Sequence, residues 1–187
     1  MARRVRRIAL VVVVLLVIAG VAFVVTSRGR LTDDRDRADE LWLPLRAPLA
    51  ARYASLDAVL IQLGEAGAGD RDVTRDLARG LDRWNRLQRT SSDGDGVDTE
   101  AEVAAANSLE GLFGRASQTV ASSPRLSGVE PLTASVDAFR VTAPPAPAVS
   151  AYNDAAEAYQ DTREAARYSL TAGLFDYEPR PTLLIGG

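Results

Sequence analysis

The sequence predicts an all-α protein, an antiparallel four-helix bundle with one N-terminal transmembrane helix. Three observations predict it. Residues 8–25 run for 18 positions without a charge. Beyond them, apolar residues recur at spacings of three and four, which is one face of a helix. No stretch of the remainder shows the alternation of a strand. Each amphipathic helix has one face to bury, and four such faces buried together make a bundle.

The apolar run spans about 27 Å as a helix, close to the roughly 30 Å hydrocarbon core of a bilayer. Fourteen of its 18 residues are Ile, Leu, Val or Phe. A cleaved signal peptide is the rival reading, with small residues at Gly20-Val21-Ala22. The apolar run continues past that point, however, and then meets Arg28 and Arg30, which suits an uncleaved anchor. Arg3, Arg4, Arg6 and Arg7 crowd the other flank. The denser basic cluster lies N-terminal to the span, so the N-terminus is expected inside and the bundle outside the bacterial cell membrane. The expected organisation is a basic flank at 1–7, an anchor in the lipid bilayer at 8–27, and a bundle at 28–185, with a tail at 171–187.

Four helical units follow the anchor. The first covers about 32–64, with Trp42, Leu45, Leu49, Tyr53, Leu56, Leu60 and Leu63 on one face. Pro44 and Pro48 lie inside it and predict a kink or break near 43–47. A glycine-rich turn leads to the second unit, capped by Asp70 or Asp72 and reaching about Thr90. Val73, Leu77, Leu81, Trp84 and Leu87 share its apolar face, and Arg75, Arg79 and Arg86 lie opposite. Thr99 to Glu102 reads as a capping box for the third unit. Ser122-Ser123-Pro124 closes that helix, and Ser127 to Glu130 reads as a second capping box for a shorter helix. Pro144, Pro145 and Pro147 force extended backbone. The last helix covers about 147–170, buried through Tyr152, Ala156, Tyr159, Ala166 and Leu170. Asp154, Glu157, Asp161 and Glu164 line its opposite, solvated face.

Missing residue types narrow the chemistry. The chain has no His, no Cys and no Lys; all 22 basic residues are Arg. That bias suits a GC-rich, actinobacterial genome. It removes imidazole bases, thiol nucleophiles, Schiff-base lysines and the phosphate-binding lysine of P-loops. Di-iron bundles need Glu-x-x-His pairs, which cannot form here. Asp93-Gly94-Asp95-Gly96 falls out of step with a calcium loop, whose sixth and twelfth positions would be Asp98 and Ala104. Hence no catalytic site, no cofactor and no metal is expected. A net charge of −3 gives no generic affinity for nucleic acid.

Residues 151–159 (AYNDAAEAY) and 172–181 (AGLFDYEPRP), with Leu109 to Arg115 and with Trp42, Arg52 and Tyr53, resemble the LemA family in order and spacing. The chain departs from that pattern at Ser123, at the 144–147 insert and at Thr182-Leu183. The resemblance implies an antiparallel four-helix bundle behind one span and no defined enzymatic activity. The expected function is therefore a membrane-anchored interaction or scaffold protein with a membrane-protein partner, and an oligomer is compatible with it. The alternative is a membrane-tethered ligand-binding sensor, with a cavity where the prolines loosen packing. The candidate contact is the C-terminal tail and its surroundings: Tyr152, Asn153, Gly173, Leu174, Phe175, Tyr177 and Pro181. These residues dock either on a partner or on the chain's own bundle.

Overall fold

Residues 2–92, 96–165, 168, 172–173, 175 and 177–186 are described by the structure, a computed structural model; for 2–27 and Ser92 only the backbone is described. Among the described residues there is no strand. The helices are α1 (Ala2–Ala54), α2 (Leu56–Glu65), α3 (Asp72–Ser92), α4 (Thr99–Ser122), α5 (Pro124–Ser127), α6 (Glu130–Val141) and α7 (Ala146–Glu164). The expected all-α class is what the molecule has. The apolar run at 8–25 forms part of the α1 backbone, and its side chains lie outside the description. Among the residues that are described, no helix is long and apolar enough to cross a membrane.

The helices pack as four rods. The first is α1 continued by α2, the second α3, the third α4, and the fourth α6 continued by α7. Side-chain bonds give the directions. Trp42 of α1 meets Tyr152 of α7 at a tilt of 56°, while Asp34 accepts from Thr162, so these two helices run antiparallel. Ser91 at the end of α3 reaches Glu102 near the start of α4, which makes that pair antiparallel as well. Gly80 marks their closest approach, since a Cβ there would stand 2.7 Å from Leu112 Cδ1. At the far end, Arg125 donates to the carbonyls of Ala66 and Gly67 at 2.9 and 3.1 Å. That contact closes α5 onto the turn after α2, where Gly67 takes a φ of +67°.

One continuous core joins the rods. Trp42, Leu45, Leu49, Tyr53, Leu56 and Leu63 are buried along α1 and α2, as their spacing predicts. Leu77, Leu81 and Trp84 answer from α3. Aromatic rings fill its centre. Tyr53 meets Trp84 edge-on at 4.9 Å, and Phe113 lies 4.0 Å from Phe139. On α7, Tyr152, Ala156 and Tyr159 are buried, while Ala166 and Leu170 lie outside the described residues. Asp154, Glu157, Asp161 and Glu164 are exposed.

Several local expectations are corrected. Of the kink or break expected near 43–47, the break does not occur; α1 runs through both prolines to Ala54. Glu40 and Pro44, whose carbonyls lose their donors to Pro44 and Pro48, are both exposed, so water can bond those carbonyls. The actual break is at Ser55. Its N–H and its hydroxyl both donate to the Arg52 carbonyl, at 3.1 and 2.6 Å, and so take the acceptor that Leu56 would use in a continuing helix. The α3 helix starts at Asp72, with Arg71 supplying the carbonyl that accepts from Thr74 and Arg75. Asp72 holds Arg75 from the first turn rather than capping. It also runs through Ser92, two residues past the expected end.

Neither capping box forms. Asp98 is the N-cap of α4, accepting from the Ala101 N–H at 3.0 Å. Thr99 is buried, its hydroxyl without a partner among the described residues, and Glu102 turns into the core. The α6 helix is preceded by Val129, with Pro131 in its first turn and no side-chain cap. There the Ser127 hydroxyl turns back to the Pro124 carbonyl. The last helix, expected to reach about 170, ends at Glu164, and residues 166, 167, 169 and 170 lie outside the described residues.

Candidate functional site

The C-terminal segment lies as an extended strap in a groove between α1, α4 and α7. Burial recurs at every third residue: Tyr177 (7% exposed), Arg180 (5%) and Leu183 (2%) face inward. That repeat matches polyproline backbone, and Pro179 and Pro181 bias the segment toward it by fixing φ and removing two donors. Leu183 joins the main core, and Ile185 packs against it.

Side chains of the helices satisfy the main chain of the strap, one carbonyl after another. Arg163 Nε donates to the Tyr177 carbonyl, Tyr159 to Glu178 and Tyr152 to Pro181, each at 2.8 Å. Two asparagines then grip residues 182–184 from opposite sides. Asn153 of α7 donates its amide N–H to the Leu183 carbonyl at 3.0 Å and accepts the Leu183 N–H at 2.7 Å. Asn107 of α4 donates to the Thr182 carbonyl and accepts the Leu184 N–H, both at 2.8 Å. Successive residues of an extended chain turn their polar groups to opposite sides, so this pair of amides stands where two neighbouring strands would.

Two ionic contacts and one hydroxyl contact fix the strap further. Arg180 forms a two-pronged pair with Asp39 of α1, at 2.8 and 3.0 Å. Burial pulls the Arg180 guanidinium down, but the hydrogen bonds and charge of Asp39 outweigh it and hold the group above its usual value. At the last turn of the strap, the Gly186 N–H donates to Glu110 Oε2 at 3.2 Å. Glu110 in turn pairs with the buried Arg52 through two bonds of 2.8 and 2.9 Å. At the first turn, Tyr177 shares a 2.6 Å hydrogen bond with Thr32, and its hydroxyl also donates to the Arg28 carbonyl at 3.3 Å.

Of the tail residues expected to dock, Tyr152, Asn153, Tyr177 and Pro181 meet in this groove. Phe175 is elsewhere, 43% exposed, with the Arg28 guanidinium 4.8 Å from its ring centre. Gly173 is exposed, and Leu174 lies outside the described residues. Asn107, Asp39 and Arg180 have no signature in periodicity; each is a polar residue whose partner is about 75 positions away or more. Among the described residues no three acids converge as a metal site.

No family model, curated protein or solved structure matches the chain. Its chemistry is therefore read from the groove alone. The groove recognises main-chain carbonyls and N–H groups at 182–184, a guanidinium at 180 and an aliphatic side chain at 183.

Two predictions follow from the bonds to the strap. Replacing Asn153 by Ala strands both polar groups of Leu183 and is expected to loosen the strap by about 1–3 kcal/mol. Amide hydrogen exchange should show Leu183 losing protection while the amides of α4 keep theirs; equal exchange at Leu183 in both chains would refute the clamp. The second concerns alkaline pH. Burial raises the Tyr152 phenol well above the usual value near 10, with the Arg180 charge pulling part of the way back; burial likewise raises Tyr53. A raised phenol keeps its proton in the folded chain while the unfolded chain loses it. Stability is thus complete below about pH 10 and falls as pH rises further, by about 1.4 kcal/mol per pH unit for each phenol. Urea unfolding between pH 9 and 11.5 should show this slope, and Tyr152→Phe should reduce it.

Proposed function

We propose that this chain is a membrane-anchored helical-bundle interaction or scaffold protein of the LemA type, with no catalytic site, that works by holding a membrane-protein partner. The observation that carries the reading is the continuity of α1. A single helix, Ala2–Ala54, contains the uncharged run at 8–25 and then supplies the first rod of the bundle. An anchor built this way transmits its orientation to the bundle, because no loop separates them. Arg3 to Arg7 ahead of the run place the N-terminus inside and the bundle outside the cell membrane in this reading.

Absence of His, Cys and Lys supports a non-enzymatic role, since among the described residues the two buried carboxylates, Glu102 and Glu110, both pair with arginines. The resemblance of 151–159 and 172–181 to LemA proteins supports the same role. Membrane fractionation of cells expressing the full chain tests the anchor, and in-cell crosslinking tests the partner. The chain should stay with the membrane through alkaline carbonate washing and should crosslink reproducibly to one membrane protein. Release into the wash would overturn the anchor, and crosslinking to none would overturn the partner.

One observation favours a second reading, a membrane-tethered ligand-binding sensor. A cleft of about 500 Å³ opens beside the proline insert, lined by Ala143, Pro144, Val149 and Ile185, with Asn153 and Asp154 at its polar side. A mostly apolar cleft with a few polar groups suits a small molecule. A small apolar ligand that raises the thermal midpoint of the full chain, and fails to do so after Val149→Asp, would favour the sensor over the scaffold.

A further inference from the structure

We propose that the cleft where α1 passes the start of α4 binds a cationic group, an ammonium or a guanidinium, carried on an aliphatic stem. The inference uses neither the anchor nor the cleft beside the proline insert, so it stands apart from both readings above.

The cleft measures about 290 Å³ and is lined by Asp36, Asp39, Glu40 and Leu43 of α1 and by Val97 and Thr99. Asp36, Glu40 and Leu43 follow one another at spacings of four and three. They rise along one face of the helix over about 10 Å. Carboxylates thus occupy one end of that face and Leu43, 51% exposed, the other. Val97, half-buried, adds a second apolar wall.

Negative charge here exceeds what the chain supplies to balance it. Arg180 and Arg35 both serve Asp39. Asp36 and Glu40 are exposed, and neither has an ion-pair partner among the described residues. The neighbouring Glu100 registers the excess. Burial and the charges of Glu178 and Asp98 raise its carboxyl above the usual value, although Arg180 pulls it part of the way back.

Acids on a helix face are commonly no more than a solvated surface. Thr99 sets this cleft apart. It lines the cleft yet is only 1% exposed, and its hydroxyl has no hydrogen-bond partner among the described residues. A buried hydroxyl left unpaired is costly, and a donor entering the cleft would remove that cost. Its oxygen can accept an N–H there. Among the described residues no three acids stand close enough to hold a metal ion, which leaves a wider organic cation. An ammonium or guanidinium supplies several donors at once, to the rim carboxylates and to Thr99. Its methylene stem covers Leu43 and Val97, which a bare inorganic ion would leave wet.

Two probes test the site and separate its possible sources. Agmatine carries both cationic groups on a short alkyl chain. A capped pentapeptide with one central Arg offers the same head as a protein side chain. Each is titrated into the full chain in non-ionic detergent while amide resonances are followed. The Glu40, Val97 and Thr99 amides should shift saturably, with a Kd of about 1 mM for so small a ligand. Saturation by agmatine assigns a free small cation; saturation by the peptide alone assigns a side chain of a partner protein. Thr99→Val should weaken binding about tenfold and leave the thermal midpoint no lower, because the lost hydroxyl bonds nothing in the free chain. Asp36→Asn combined with Glu40→Gln alters only exposed residues and should weaken binding about fivefold. Binding undiminished by either change would overturn the proposal, as would no saturation by either probe at about 10 mM.

Discussion

Glu110→Ala is expected to destabilise the full chain by about 3–5 kcal/mol, the range for removing one partner of a buried ion pair. Arg52 is 1% exposed and lies at the end of α1, between Leu49 and Tyr53 of the core. Its guanidinium uses two bonds on Glu110 and donates to the carbonyls of Phe139 and Thr142 at 2.9 and 2.6 Å. It also lies 3.9 Å from the centre of the Phe139 ring. One side chain thus ties α1, α4 and the C-terminal end of α6. Alanine at 110 leaves a buried cation without its two bonds to a carboxylate, and it removes the acceptor of the Gly186 N–H. Urea unfolding should show a lower midpoint with an unchanged slope. A double substitution, Arg52→Met with Glu110→Leu, should recover part of the loss, because no charge is then left unpaired. It should not recover all of it, since the Thr142 carbonyl then loses its Arg52 donor, while that of Phe139 keeps the Thr142 N–H. A Glu110→Ala chain within 1 kcal/mol of the wild type would refute this account.

The second large effect lies at Glu102, fully buried at the other end of the bundle. Its carboxylate receives Trp42 Nε1 at 2.7 Å, Arg46 through two bonds of 2.9 Å, and the Ser91 hydroxyl at 2.9 Å. Glu102→Gln keeps the shape but turns a donor toward donors. The expected loss is about 2–4 kcal/mol, less than at Glu110 because Arg46 keeps part of its surface in water. Trp42 is one of only two tryptophans, so its fluorescence should report the change directly. Unchanged emission and unchanged stability would show that the carboxylate does not organise this end.

These two sites explain why parts of the fold were legible and parts were not. Apolar spacing is a local property. Leu77, Leu81 and Trp84 share a helical face whatever they later touch, and the structure buries that face. Capping is local too, yet Thr99 to Glu102 misled. The pattern fits a capping box, but Glu102 gains more from an indole and a guanidinium about 60 residues away than from its own helix end. Asp98 then takes the capping role. The break expected at the prolines of α1 does not occur for a similar reason. A proline breaks a helix in isolation, whereas here Trp42, Leu45 and Leu49 are packed on either side of Pro44 and Pro48 and hold the helix together.

The candidate site divides along the same line. Tyr152, Asn153, Tyr177 and Pro181 stand out in the sequence because they lie in the two segments, 151–159 and 172–181, that resemble LemA proteins. Which bonds would hold the tail was unreadable, because Asn107 and Asp39 look like ordinary surface polar residues on their helices. By itself, the sequence determined the helical class, the faces to be buried, the uncharged N-terminal run and the absence of imidazole, thiol and amine chemistry. All of these depend on composition or on neighbours within a few residues. Only the tertiary structure decided where the carboxylates and guanidiniums go and how the tail is held. A buried charge or an exposed peptide group takes the partner that compensates its desolvation, and that partner is chosen by the packing of the whole chain.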